Sequence, residues 1–192
     1  MQNCPLSPFS LGAPEGASPP LRKKHKLGKF PEKRFYLGKN TTPHASTLFL
    51  DLDDTLVLVA PLKTLSGQST ELGSQPYLGV KGYSQDGASE SLEVFLRPGV
   101  REFLERAAKH FELIIFTAAK PSYADPIIER LDEGKGLFSH RLYRHHCTKY
   151  VLSKGSEVFV KELAAIGGRE LERCILLDDQ RMHVHANEGR VM

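Results

Sequence analysis

The chain has 192 residues, 40% hydrophobic and 26% charged, with 16 glycines and 12 prolines, a balance that excludes collagen, a coiled coil or wholesale disorder and leaves room for one medium domain plus a tail. No apolar run nears the roughly 20 residues that span a bilayer, so no membrane segment is expected and the chain reads as soluble; Cys4, Cys147 and Cys174, odd in number and far apart, suit a reducing compartment better than a disulfide framework or zinc ribbon. Net charge is +3 but uneven: residues 1–46 hold eight Lys or Arg against Glu15 and Glu32, net +6, which leaves −3 to the rest.

Residues 1–46 read as a disordered basic tail. Five prolines among Ser and Gly in the first twenty residues cannot bury enough apolar surface to offset ordering. The Arg22–Lys26 cluster reads as a solvated tail or a nuclear address, and the expected location is nuclear or cytoplasmic. From Thr47 the pattern changes. Thr47–Leu50 is a buried-strand candidate running into Asp51-Leu52-Asp53-Asp54-Thr55, as a doubly covered parallel strand does. Residues 58–92 include a Gly, Ser and Gln-rich stretch too long and polar for an ordinary connection, read as a flexible insertion. Leu92–Leu96 reads as a strand stopped by Arg97-Pro98-Gly99.

Val100, Phe103, Leu104, Ala107, Ala108 and Phe111 fall on one face of a helix. Leu113–Phe116 is a second buried strand, ending in Thr117. The spacing predicts a helix capped by Ser122, continuing through Ile127 and Leu131 to Gly134. A short strand is expected at 141–143 and a helix from about Ser156, with Phe159, Val160, Leu163 and Ala164 inward and Gly167-Gly168 as the stop. Cys174–Leu177 is the last strand, ending in Asp178-Asp179. Alternation of strands and helices predicts an α/β fold with a mostly parallel central sheet and helices on both faces. In such sheets the site lies beyond the carboxyl ends of the strands, where Asp51, Asp53, Thr117, Asp178 and Asp179 fall.

Asp51 and Asp53, two positions apart at a strand end, start toward the same side. If the strand ending in Asp178-Asp179 is a neighbour, like charges about 4 Å apart cost on the order of 4 kcal/mol per pair at an effective dielectric near 20. A magnesium ion bound by one or two carboxylates, waters and a substrate phosphate answers that repulsion, and a lysine can supply the rest. Taken alone, Asp-x-Asp is more often a turn or cap. A calcium loop fails because its sixth position is Leu56 and its twelfth Leu62.

Phe49-Leu50-Asp51-Leu52-Asp53-Asp54-Thr55-Leu56-Val57 resembles motif one of the haloacid dehalogenase superfamily, in particular its branch of RNA polymerase II C-terminal-domain phosphatases, the NLI-interacting-factor-like phosphatases. Arg97-Pro98-Gly99, Phe116-Thr117-Ala118, Tyr123-Ala124-Asp125-Pro126, Val160-Lys161-Glu162-Leu163 and Ile175-Leu176-Leu177-Asp178-Asp179 follow in family order over residues 47–188. The resemblance implies a Rossmann-like fold with a small insertion and no large cap domain, the phosphatase domain being residues 47–192. It further implies a magnesium-dependent phosphoserine/phosphothreonine protein phosphatase acting through an aspartyl phosphate, with Asp51 as nucleophile and Asp53 as acid, then base. Thr55, Thr117 and Lys161 would meet the phosphoryl group, and Asp51, Asp178, Asp179 and the carbonyl of Asp53 would hold Mg2+, with Asp178 also orienting Lys161. The expected partner is a phosphorylated protein or peptide; no nucleic-acid binding is expected, and the protein is expected to be a monomer.

The chain departs from that branch in having Asp178-Asp179 followed by Gln180-Arg181 rather than Asp-Asn-Ser-Pro, in offering only Lys154 as a weak substitute for a basic residue before Lys161, and in ending at Met192, where the family continues, so that the expectation is either a shortened chain or a domain that closes differently. These departures motivate two alternatives, a catalytically weak binding scaffold of the same fold and a small-molecule phosphatase. His145-His146 and His183-x-His185 read as exposed or edge histidines, since zinc needs four suitably spaced ligands. Cys147 lacks the Cys-x5-Arg loop of a cysteine phosphatase.

Overall fold

The computed structural model describes residues 35–40, 42–44, 46–61, 78–83, 89–151 and 155–187. Thr47–Leu50 (β2), Glu112–Phe116 (β6), Phe138–Leu142 (β7) and Cys174–Leu177 (β11) form a four-stranded sheet in the order β11-β2-β6-β7. All three pairings are parallel. Every residue of β2 and β6 is buried, which is why their sequences are continuous apolar runs rather than alternating ones. Leu50 pairs with Leu177 on one side and Ile115 on the other, so the strands ending in Asp51, Phe116 and Asp178 finish level. The α/β fold with its mostly parallel sheet is therefore as expected.

The two faces of the sheet are covered differently. Leu48, Leu50, Leu113 and Ile115 pack against Val100–Ala107 (α1) and Pro121–Asp132 (α2), through Val100, Leu104 and Ala107 and through Ala124, Ile127, Ile128 and Leu131. Phe49, Ile114, Phe116, Leu142 and Leu176 point the other way and meet Leu37, Leu163 and Ile166, which lie on strap and turn segments. Arg181–Ala186 (α3) is a short helix beside Glu157–Val160 (β9). Among the described residues no helix is long and apolar enough to cross a membrane.

Several expectations are corrected. The helix from Ser156 is absent: Thr148–Val151 (β8) and β9 pair antiparallel, followed by a single 3-10 turn at Leu163–Ala165 and a two-residue strand, Ile166–Gly167 (β10). The β-branched and aromatic run Glu-Val-Phe-Val favours a strand, and Gly155 at φ +80° takes the left-handed turn before it. α1 ends at Ala107 and buries Val100, Leu104 and Ala107, while Phe103, expected on the same face, is 38% exposed. α2 is entered through Lys120 with Pro121 in its first turn rather than through Ser122.

Residues 35–37 depart from the disordered-tail expectation. Phe35–Tyr36 (β1) pairs parallel with β10, and Leu37 is fully buried. Residues 1–34 lie outside the described residues. Within the 58–92 insertion, Val57–Pro61 (β3), Leu78–Tyr83 (β4) and Ser89–Leu96 (β5) build an antiparallel sheet in the order β3-β5-β4; residues 62–77 and 84–88 are not described.

Candidate active site

The chain leaves β2 through a turn set by its own backbone. Leu56 and Val57 both donate to the Leu52 carbonyl, at 2.9 and 3.1 Å, and Asp54 donates to Val57 at 2.7 Å. Asp54 takes φ 58°, a conformation Asp tolerates better than most residues. Arg97 fixes the turn from outside: its Nε donates to the Thr55 carbonyl and its Nη2 to that of Asp54, both at 2.6 Å. The Arg97-Pro98-Gly99 segment thus holds the loop that carries Asp51 and Asp53.

Lys161 follows β9 and is 1% exposed. Its Nζ is paired with Asp51 Oδ1 and, at 2.7 Å, with Asp178 Oδ2. A buried ammonium is tolerated only when paired in this way. Asp178 Oδ1 accepts from the Gln180 amide at 2.9 Å, so both its oxygens are engaged. Asp51, Asp178 and Asp179 each offer an oxygen within 4.8 Å of the others, a set of hard donors suited to a divalent cation. The Asp53 side chain is not in this set. Its Oδ1 accepts from the Tyr123 hydroxyl at 2.6 Å.

Burial pushes the Asp51 carboxyl up to about 7; Lys161 opposes that rise and Asp178 adds to it. Burial also raises Asp53, against the bond from Tyr123. Thr55 Oγ1 lies 3.5 Å from Asp51 Oδ2. Thr117 is 1% exposed at the end of β6, its amide donating to the Leu142 carbonyl and its Oγ1 accepting from the Ala119 amide at 3.0 Å. Of the residues selected from sequence, Asp51, Thr55, Lys161, Asp178 and Asp179 are thus joined by contacts. Asp53 and Thr117 stand at the same sheet end, two residues past Asp51 and one past β6. Lys154 lies outside the described residues.

Three further side chains enter the site's framework. Tyr123 is one; it stands in the Tyr123-Ala124-Asp125-Pro126 segment of the family resemblance, which assigned it no role. The others are His183 and Asn187, 2% and 4% exposed, whose i, i+4 spacing places them on one side of the closing turn. The expectation of an exposed or edge histidine is wrong for His183. Cys147 is buried and its thiol is pushed up to about 12 by that burial, which leaves it protonated and inert. His145 and His146 stack beside Tyr143, and no metal-ligand cluster forms around them among the described residues.

Residues 46–191 match the family described as NLI interacting factor-like phosphatase. The chain is 37% identical over 139 residues to Phosphatase PSR1 of Saccharomyces cerevisiae, covering 72% of this chain and 29% of that one. It is 40% identical over 94 residues to the human carboxy-terminal domain RNA polymerase II polypeptide A small phosphatase 1, covering 49% and 33%. It spans about a third of the length of these curated relatives. The solved structure of the fission yeast RNA polymerase II CTD phosphatase Fcp1 bound to beryllium fluoride shares the fold, with a TM-score of 0.57 at 19% identity over 77% of this chain and 40% of that one.

Proposed function

This chain belongs to the NLI interacting factor-like phosphatases, and from that premise we propose that it is a magnesium-dependent phosphoserine/phosphothreonine protein phosphatase working through an aspartyl phosphate on Asp51. The observation that carries the reading is the buried Lys161 ammonium between Asp51 and Asp178, with Asp179 completing a carboxylate set at the level ends of parallel strands. A structural ion pair needs one carboxylate. With Asp179 beside the Asp51–Lys161–Asp178 contacts, three carboxylates to one lysine leave a net negative charge that a divalent cation offsets.

In this reading an Asp51 oxygen attacks phosphorus in line with the leaving serine or threonine oxygen. Oδ1 is held by Lys161, and Oδ2, which Thr55 approaches at 3.5 Å, is the oxygen assigned to the attack. As the bond from phosphorus to the ester oxygen breaks, Asp53 gives its proton to the departing alcohol; burial raises its pKa, which favours the protonated form that this step needs. The resulting Asp53 carboxylate then takes a proton from the water that attacks phosphorus, releasing phosphate and regenerating Asp51. Tyr123 holds Asp53 Oδ1, which leaves Oδ2 to carry the proton. Lys161 and Thr117 stabilise charge on the transferring oxygens. Magnesium held by Asp51, Asp178, Asp179 and the Asp53 carbonyl would supply the remaining positive charge and keep Asp51 ionised. Among the described residues no domain covers the strand ends, and an open approach suits a phosphorylated protein segment.

The test is hydrolysis of an aryl phosphate and of phosphoserine peptides by the purified chain. Asp51→Asn and chelation are each expected to abolish turnover, the former by about 10^4-fold, and beryllium fluoride is expected to bind at Asp51. Full activity in Asp51→Asn overturns the reading.

A further inference from the structure

Lys161 sits where regular structure runs out. β9 ends at Val160 and the next 3-10 turn begins at Leu163, so the amide and carbonyl of residue 161 need partners from elsewhere. Two side chains from the closing turn provide them. The Lys161 amide donates to His183 Nδ1 at 3.1 Å, and the Lys161 carbonyl accepts from Asn187 Nδ2 at 2.5 Å. Asn187 also accepts from the Leu163 amide through Oδ1, at 2.8 Å, and donates to the His183 carbonyl at 2.9 Å. With Nδ1 accepting, the His183 proton belongs on Nε2, which faces Asp178 Oδ1 at 3.7 Å. Both residues are buried and neither takes part in the chemistry above.

We propose that His183 and Asn187 are positioning residues that clamp the Lys161 peptide from both sides and so fix where its ammonium stands between Asp51 and Asp178. The proposal rests on the phosphatase reading for its functional consequence, but the clamp itself does not depend on turnover. A lysine side chain has four rotatable bonds. Its Nζ keeps one place only if its Cα does, and a misplacement of about 1 Å at a reacting group costs on the order of a hundredfold in rate. Asn187 links the turn to Lys161 and Leu163 together, so the strand end and the following turn move as one unit.

The experiment compares His183→Phe, which keeps bulk but has no acceptor, with His183→Asn, whose Oδ1 can take the place of Nδ1, and with Asn187→Ala, all in the 192-residue chain. The readouts are kcat and KM for an aryl phosphate, and amide hydrogen exchange at Lys161. His183→Phe is expected to lower kcat about tenfold or more while KM moves less than about threefold, and to speed exchange at Lys161. His183→Asn is expected to restore both to within about threefold of the parent chain. Should His183→Phe fail to fold, Asn187→Ala is expected to show the same fall in kcat. Unchanged kcat in folded His183→Phe or Asn187→Ala overturns the proposal, as does equal loss in His183→Phe and His183→Asn. If the parent chain hydrolyses nothing, the phosphatase reading fails, and the exchange measurement still decides the clamp: unchanged protection of Lys161 in His183→Phe overturns it.

Discussion

Tyr123 and Thr117 place two different demands on single atoms. The Tyr123 hydroxyl, 2.6 Å from Asp53 Oδ1, fixes the rotamer of the proposed acid without touching the phosphoryl group. A hydrogen bond to a charged group contributes about 1.5–3 kcal/mol, so Tyr123→Phe is expected to lower kcat by about tenfold with KM nearly unchanged, measured on an aryl phosphate. Thr117 in the proposed mechanism stabilises charge that develops on phosphoryl oxygens, a role worth about 10^2-fold in kcat when removed. Thr117→Ala is therefore expected to cost more than Tyr123→Phe and less than Asp51→Asn, and the reverse order between the two milder variants would reassign Thr117. Asp51, Lys161, Asp178 and Asp179 were legible from sequence because carboxylates and a lysine stood in motifs at the ends of apolar runs. Tyr123 stood in a motif without a role, and His183 and Asn187 in none, because their roles depend on contacts across 22 to 70 positions of sequence, which no local pattern carries.

The strands β2 and β6, buried on both sides, and β11, whose residues alternate buried and half-buried, were legible because each is an uninterrupted apolar run. The β8–β9 hairpin was not, since four apolar positions at helical spacing also fit a strand and a turn, and only antiparallel pairing with Thr148–Val151 decides between them. The strap around β1 was missed for a related reason: two strand residues carry no periodicity, and what holds them is remote. Gly168, at φ +89°, brings its Cα so close to the strap that a Cβ there would lie 2.3 Å from the Leu37 carbonyl oxygen. Gly168→Ala is expected to destabilise by on the order of 3 kcal/mol, read as a lower urea midpoint. Beside it Arg169 grips Glu112 with two nitrogens at 2.6 Å and the Gly38 carbonyl at 2.8 Å. Burial pushes the Glu112 carboxyl up, but hydrogen bonds from Arg169, Thr47 and Ser139 outweigh it and hold its pKa below the usual carboxylate value. A depressed folded pKa means stability that is present above the unfolded pKa and is lost as pH falls through the folded one. Glu112→Gln is therefore expected to lower the thermal midpoint at pH 7 and to flatten its decline below about pH 4.5; an acid limb as steep as the parent's would remove Glu112 from that account.

At the scale of the molecule, the sheet has its proposed chemistry at one end and the Arg169 anchor of its N-terminal tether at the other. Asp51, Thr117 and Asp178 follow the carboxyl ends of β2, β6 and β11, whereas Glu112 and Thr47 begin their strands, Thr47 donating to Glu112 and Glu112 pairing with Arg169. The composition break at residue 47 marks where apolar strand begins. The fold begins earlier, because Leu37 fills the second face among Phe49, Ile166 and Leu176. A chain starting at Thr47 would lose that side chain, worth about 1.5–3 kcal/mol of burial, together with the Leu37 amide bond to Gly167 at 3.0 Å and the Arg169 bond to Gly38, each about 1 kcal/mol. The expected total is about 3–5 kcal/mol, which at about 2–4 °C per kcal/mol for a domain of this size is a fall of roughly 10 °C in thermal midpoint relative to a chain starting at Phe35. Phe35 reaches the turn after β7, packing edge-on against His146 at 4.4 Å, but the tether supplies no group to the proposed chemistry, so kcat at 20 °C, below both midpoints, is expected to agree within about twofold between the two chains. Equal midpoints would show that the strap contributes nothing to the fold, and a large loss of kcat in a chain still folded at the assay temperature would show that the two ends of the sheet are coupled.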